Sequence, residues 1–410
     1  MPVLVQKYGG TSVGTAERIR AVAVRILAAK ARGYHLVVVV SAMGETTDHL
    51  LELAGQISRR PPRRELDMLL SAGERISMAL LAMALEERGA RAASFTGSQS
   101  GILTDAGHGR AHIREVRPFR LREELQRGTI VIVAGFQGVS LDKEITTLGR
   151  GGSDTTAVAL AASFGAERCE IYTDVAGVYS ADPRRVPGAL KLAAVPYRQM
   201  SALGRLGAQV LHARCVDLAA KYNVPLVVRS SFSEEEGTVV DGRELPMEGA
   251  HVTALAHKND VALIEIRGSD VPPGAAASVL GLLERAGLPL ELLTLEANRV
   301  ERCRLTWVAP DLDAQSLTEA WEKLEKPAGR WSLHVHRGLG LVSLVGHGLA
   351  DDSAFSLDAA RRLSRAEVEI RGLRVGAMAV SFIVPREGVD TALRTLHAGY
   401  LEPAPARGTT

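Results

Sequence analysis

Two glycine-rich stretches carry charged residues at spacings that suit anion chemistry. In "VQKYGGTSVG", Lys7 stands two residues before Gly9, and Gly10, Thr11 and Ser12 follow. In "TTLGRGGSDTTAVALAA", Arg150 precedes Gly151, Gly152 and Ser153, and Asp154 opens an alanine-rich helical run. Glycines between a strand and a helix let backbone N–H groups close on an anion, and a helix N-terminus adds partial positive charge. A lysine beside paired glycines at a strand end suits a phosphate site at the open edge of an α/β sheet. The chain has no Gly-Lys-Ser/Thr and no GxGxxG, so neither loop is a Walker or dinucleotide motif. The plainer reading of the second stretch is a loop whose helix is capped by Asp154, Thr155 or Thr156.

Two further segments pair polar residues with element ends. "YTDVAGVYSADPR" places Thr173 and Asp174 at a strand end, then a glycine turn, Tyr179, Asp182, Pro183 and Arg184; "SAGERISMALLAMAL" puts Glu74 in the first turn of a helix. Alone, the one reads as a surface loop and the other as a capping glutamate. "HVH" sets His334 and His336 on one strand face, where they read as surface residues and not as metal ligands. No metal-ligand set is expected. Cys169, Cys215 and Cys303 form no CxxC pair, against a disulfide framework or zinc site.

The elements that must hold these residues follow from pattern. "VLVQKYG", "HLVVVVSAM", "TIVIVAGF", "CEIYTDV" and "VPLVVRSS" are short apolar runs without alternation, as expected of strands covered on both faces, and helical patterns separate them. That is the grammar of a three-layer α/β domain, expected over residues 1–245. The polar seam "SEEEGTVVDGRELPMEGA" closes it. Beyond lie two similar halves starting at Val261 and Leu341, expected as small βαβ-type modules at 251–330 and 331–402. A strand near 251–258 is a candidate to pair with the second module, and 403–410 is expected to be a disordered tail.

The chain has 410 residues, 46% of them hydrophobic and 23% charged, with a net charge of +2. That balance points to neither nucleic acid nor membrane partners. The most apolar run, Leu36–Met43, is too short to span a bilayer, and no basic-then-apolar leader is seen, so a cytoplasmic protein is expected.

Taken in order, "VQKYGGTSVG", "VVVVSAMGETTD", "SAGERIS", "SFTGSQSGILTD", "VAGFQGV", "TTLGRGGSDTTAVALA" and "IYTDVAGVYSADPR" closely resemble the bacterial aspartate kinases. The resemblance implies an amino-acid-kinase α/β/α sandwich followed by two ferredoxin-like ACT modules. It implies ATP and Mg²⁺ as cofactor and L-aspartate as substrate. Lys7 and Asp154 would be catalytic, with Lys7 neutralising the transferring phosphoryl group and Asp154 orienting it. Thr47, Glu74 and Arg150 would hold aspartate, Glu74 on the ammonium and Arg150 on a carboxylate. The nucleotide would meet Lys7, Tyr8, Gly9, Gly10, Ser41, Gly151, Gly152, Ser153, Thr173, Asp174, Tyr179, Ser180, Ala181, Asp182, Pro183, Arg184 and Gln209. A homodimer or higher homo-oligomer through the ACT modules is implied, with an amino-acid effector bound there.

The sequence departs from that family in three places. Gln209 stands where the family carries a lysine associated with the ATP phosphates. "SDVPPG" (Ser269–Gly274) is one residue longer than the family loop, and Leu295 and Glu296 replace its Gln-Asn pair. "RVGA" (Arg374–Ala377) replaces a Ser/Thr-rich strand end, so the residues that grip lysine or threonine are largely gone and feedback control is expected to be weakened. Two other functions fit the same frame: a kinase for another carboxylate amino acid, and a non-catalytic regulatory or binding paralogue. Glutamine keeps a hydrogen-bond donor and loses the charge. Gln209→Lys is therefore expected to lower the apparent KM for ATP several-fold and to leave that for aspartate unchanged in steady-state assays.

Overall fold

The computed structural model describes residues 1–243, 249–272, 274–285, 291–298, 302–323, 326 and 328–402. The tail at 403–410 lies outside them. The chain divides into two compact units: Met1–Tyr179 with Leu190–Pro246, and Ser180–Ala189 with the residues from Met247 onward.

An eight-stranded sheet forms the centre of the first unit. Its strands are β1 (Val3–Tyr8), β2 (His35–Val40), β3 (Ala92–Phe95), β6 (Ile130–Ala134), β9 (Arg168–Thr173), β10 (Ala194–Pro196), β11 (Leu226–Ser230) and β12 (Thr238–Asp241), in the order β10-β12-β11-β9-β1-β2-β6-β3. Every pairing is parallel except β11 with β12. The strand order reverses direction at β1, so the loops leaving the C-terminal ends of β1, β2 and β9 meet at one edge, the usual place for a ligand in an open α/β sheet.

Alternation along β1 decides which side chains reach which layer. Leu4, Tyr8, Leu36, Val38, Val40 and Tyr172 face one side and pack with Ile19, Val22, Ile26, Met78, Leu81 and Leu85. Those residues belong to α1 (Ala16–Ala31) and α4 (Ala72–Glu86). Val5 and Lys7 face the opposite side, where α6 (Gly152–Phe164) packs against β1, β2 and β9. From Gly152 to Ala161 every residue of α6 is buried, which is why its sequence is mostly small residues, with Gly, Ser, Thr and Ala among them. The three free cysteines are buried.

A second sheet of four short strands, β4 (Ile102–Thr104), β5 (Ile113–Val116), β7 (Gln137–Ser140) and β8 (Ile145–Thr147), has the order β5-β4-β7-β8. The last residue of β8 leads straight into the Arg150 loop. The remaining helices of this unit are α2 (Thr46–Ile57), α3 (Arg63–Leu70), α5 (Phe119–Gln126), α7 (Tyr197–Arg205) and α8 (Ala213–Tyr222).

In the second unit the two halves share one six-stranded sheet. Its strands are β13 (His251–Ser269), β14 (Glu291–Asn298), β15 (Arg302–Pro310), β16 (Arg330–His347), β17 (Gly372–Gly376) and β18 (Ala379–Pro385), in the order β14-β15-β13-β16-β18-β17. Both long strands serve twice. The later part of β13 pairs with β15 and with the first part of β16, while Val252–Lys258 pairs with Leu341–Gly346. Each half thereby completes a four-stranded ferredoxin-like set, with β16 and β13 lending the fourth strand to the first and second half respectively. Helices α9 (Ala275–Arg285), α10 (Asp311–Lys323), α11 (Ser353–Arg365) and α12 (Val389–Tyr400) complete the unit.

The N-terminus of α6 is fixed by a close approach. Gly151 has φ 70°, and a Cβ there would stand 2.4 Å from Cβ of His212. Gly151→Ala is expected to cost about 2–3 kcal/mol, from left-handed strain plus the clash. A thermal melt that matches wild type would show that the loop rebuilds around alanine.

Candidate functional site

Lys7 comes from the face of β1 that meets α6, and its ammonium lies 2.6 Å from Oδ1 of Asp154, the third residue of that helix. Both side chains are nearly buried. Asp154 is therefore a partner for the lysine and not a helix cap: the cap position is Gly151, with no side-chain bond to the first turn. Thr155 and Thr156 do not cap either; their hydroxyls donate back to the carbonyls of Gly151 and Gly152. An uncapped N-terminus leaves backbone donors for an anion, beside a lysine already held in place.

The glycine loop after β1 is built into its neighbours. Gly9 spends its N–H on the Tyr172 carbonyl, Gly44 N–H bonds to Gly10 O, and Ser41 N–H to Tyr8 O. A Cβ on Gly10 would stand 2.8 Å from the Ala42 carbonyl. The loop after β2 thus lies directly on the Gly9–Gly10 loop. Tyr8 does not reach this edge. Strand alternation turns it to the α1/α4 side, where it is fully buried and stacks on Tyr172 at 4.7 Å. Its side chain is therefore turned away from this edge, which leaves only its backbone in the loop.

Glu74, in the first turn of α4, reaches under the Ser41–Thr46 loop. Its Oε1 accepts the Ala42 N–H at 3.2 Å, and its Oε2 is buried without a hydrogen-bond partner. Burial pushes the carboxyl pKa up to about 7. A buried carboxylate with one oxygen left over is a strong acceptor for an arriving cation.

Thr47 and Arg150 line one cavity of about 500 Å³, together with Asp67, His108, Arg110 and Phe136. Glu74 and Lys7 are not among its lining residues. The helix that carries Asp154 does meet its wall: Phe136 accepts the Leu148 N–H, and a Cβ on Gly152 would stand 2.9 Å from the Phe136 ring.

Sequence reasoning passed over three residues here. Asp67, buried in α3, bonds to Thr147, His108 and Gly109. His108 lines the cavity. His212 caps α8 by accepting the Arg214 N–H, and its ring rests on Gly151. Burial lowers the His212 pKa, which favours the neutral imidazole. Only His212 had an available signal, a histidine placed just before a helix.

The nucleotide residues expected after β9 divide. Thr173, whose hydroxyl donates to Asp174, and Tyr179 belong to the first unit. Ser180 to Arg184 belong to the second. There Ser180 is buried with its hydroxyl 2.8 Å from His397 Nε2, and Ala181 sits in that unit's core with Val186 and Leu255. These two side chains are packed inside that unit. Asp182 holds the exposed Arg184 through paired bonds. Gln209 is exposed in the loop between α7 and α8. His334 and His336 are exposed on β16.

Residues 2–230 match the model of the amino acid kinase family. The aspartokinase of Mycolicibacterium smegmatis is 45% identical over 405 residues, 98% of this chain and 96% of that protein. That of Corynebacterium glutamicum is 45% identical over 406 residues, with the same coverage. The structure of E. coli aspartokinase III in complex with aspartate and ADP (R-state) has a TM-score of 0.82 at 26% identity, covering 98% of this chain and all of that one.

The Glu74 carboxyl makes a prediction for the ligand-free protein. Its folded pKa lies above the ordinary value, so the native state holds a proton that the unfolded state has released, and stability falls as pH rises from about 4.5 to about 7. Above that range the loss saturates at about 3 kcal/mol. Glu74→Gln is expected to remove this dependence, leaving the variant more stable than wild type at pH 8 and equal to it at pH 4. Parallel pH profiles in chemical denaturation would refute the burial argument.

Proposed function

The chain belongs to the aspartokinases of the amino acid kinase family, and from that premise we propose how its residues carry out ATP-dependent phosphorylation of L-aspartate to 4-phospho-L-aspartate. The observation that carries the substrate assignment is the unpartnered Oε2 of Glu74, a buried acceptor that the ammonium of an amino acid satisfies. Arg150 and Thr47, on the wall of the cavity, take the α-carboxylate. The side-chain carboxylate is then directed toward the Lys7–Asp154 pair.

That carboxylate is already ionised at neutral pH, having a reference pKa near ~3.9, so no general base is required. Its oxygen forms a bond to the γ-phosphorus while the bond from that phosphorus to the ADP oxygen breaks. The barrier is the approach of an anion to a polyanion. Lys7, the free N-terminus of α6 and Arg150 offset it with positive charge fixed in advance. Asp154 keeps the Lys7 ammonium in one position. Gly10, Ser41 and Ser153 border the phosphates, and Thr173, Asp174 and Tyr179 lie toward the nucleoside. A Mg²⁺ ion bound with the nucleotide would need only one or two protein oxygens. Asp174, exposed just after β9, where it accepts the Thr173 hydroxyl, is a carboxylate at this edge that would fit. When bound, the ion neutralises phosphate charge.

A cytoplasmic enzyme that supplies lysine and threonine synthesis fits this reading. The structure of E. coli aspartokinase III in complex with lysine and aspartate (T-state) has a TM-score of 0.74 at 26% identity. In this chain β14 and β17 are the edge strands of the second unit's sheet. They expose Leu295 on the one, and Leu373 and Val375 on the other. Pairing of these edges between copies, with weak inhibition by lysine plus threonine, is the arrangement we favour.

Mg-ATP and L-aspartate are expected to give an acyl phosphate that hydroxylamine traps as the aspartyl hydroxamate, and Lys7→Ala to abolish it without unfolding the protein. Because Glu74 must be ionised to hold the ammonium, the apparent KM for aspartate should rise about tenfold per pH unit below about pH 7. Folded protein that yields no hydroxamate would end the reading; a flat KM profile would remove Glu74 from it.

A further inference from the structure

Asp67 is a buried carboxylate that the reaction as described does not use. It is 1% exposed on α3 and accepts from three residues in two segments distant in sequence. The Thr147 hydroxyl donates to Oδ1 at 2.5 Å, His108 Nδ1 lies 2.7 Å from Oδ2, and the Gly109 N–H is shared between both oxygens at 3.1 Å. Thr147 stands three residues before Arg150, and Gly109 directly before Arg110. The two segments are also tied to each other, by Ala111 N–H to Thr147 O and by Arg214, which donates to the carbonyls of Leu148 and Ala111. Asp67, His108, Arg110, Thr147 and Arg150 line the same cavity.

Burying a carboxylate costs several kcal/mol unless hydrogen bonds repay it. Here they are repaid by groups that bring together two cation-bearing segments. We propose that Asp67 is a positioning residue for substrate recognition: it sets the register between the His108–Arg110 and Thr147–Arg150 segments, so that Arg150 and the His108 imidazole face one carboxylate. The separation between that carboxylate grip and the Lys7–Asp154 pair then decides which side-chain length reaches phosphorus, and Asp67 acts through it on discrimination between aspartate and glutamate. This inference rests on the aspartate-kinase reading above.

The test is steady-state kinetics of wild type, Asp67→Asn and Thr147→Val with L-aspartate, L-glutamate and ATP, alongside thermal melts. Asparagine keeps the shape but turns one oxygen into a donor facing other donors; valine removes a single donor. Asp67→Asn is expected to raise the KM for aspartate about tenfold or more, to leave that for ATP within about twofold, and to narrow the preference for aspartate over glutamate. Thr147→Val should shift both aspartate readouts the same way by about threefold, and it decides alone if Asp67→Asn does not fold. An unchanged KM for aspartate overturns the proposal. So does an equal rise in both KM values with selectivity retained, which is the pattern of general destabilisation. Wild type that turns over while the variants match it leaves the kinase reading intact; wild type with no turnover overturns both.

Discussion

A lysine ammonium buried against a carboxylate at the edge of a parallel sheet is the constraint around which the first unit is arranged. Lys7 and Asp154 reach each other because strand alternation turns Lys7 toward α6 and because Asp154 is in the first turn of that helix. To bring the helix close enough, α6 is built mostly of small residues, and its entrance is made of glycines. The pair is stable only while its surroundings stay dry and ordered. The loops after β1 and β2, bonded to each other through Gly10 and Gly44, give that order.

Charge is distributed unevenly around this pair. Glu74 carries an unanswered acceptor beneath the loop after β2, and Arg150 lies exposed on the cavity wall. In the function proposed above, a zwitterionic amino acid with a second carboxylate answers both at once. The protein pays for this complementarity with a buried carboxyl that holds its proton until about neutral pH when no ligand is bound. On that proposal the site would be stabilised by its substrate, since the arriving ammonium would supply the counter-charge the fold omits.

Much of this was legible in the sequence, for a physical reason. Lys7, Glu74, Arg150 and Asp154 each sit at an element end within a short motif, so local pattern fixes both their type and their placement. The orientation of the Tyr8 side chain was not legible, because adjacency in a motif is not adjacency on a strand face: its neighbour Lys7 points the other way. Asp67 was invisible because its partners lie 41 to 80 residues away and share no pattern with it. The four-stranded sheet that carries Thr147 was missed as well, since two of its strands are only three residues long. The continuity of β13 and β16 could not be read from the repeat, because a strand shared by two modules looks the same in sequence as two strands in a row.

The excursion from Ser180 to Ala189 has a consequence for synthesis. Every strand of the first unit's large sheet has been made once residue 241 leaves the ribosome. Yet Val186 waits for a core that includes Leu393 and Leu396, and Arg185 for Asp390, a partner made 205 residues later. A chain emerging at about 5–20 residues per second leaves these ten residues without their final neighbours for on the order of ten seconds or more. During that interval the first unit can close its sheet while a loop in its middle stays unplaced. The last helix to be made is the one that completes a segment begun before the chain was half built.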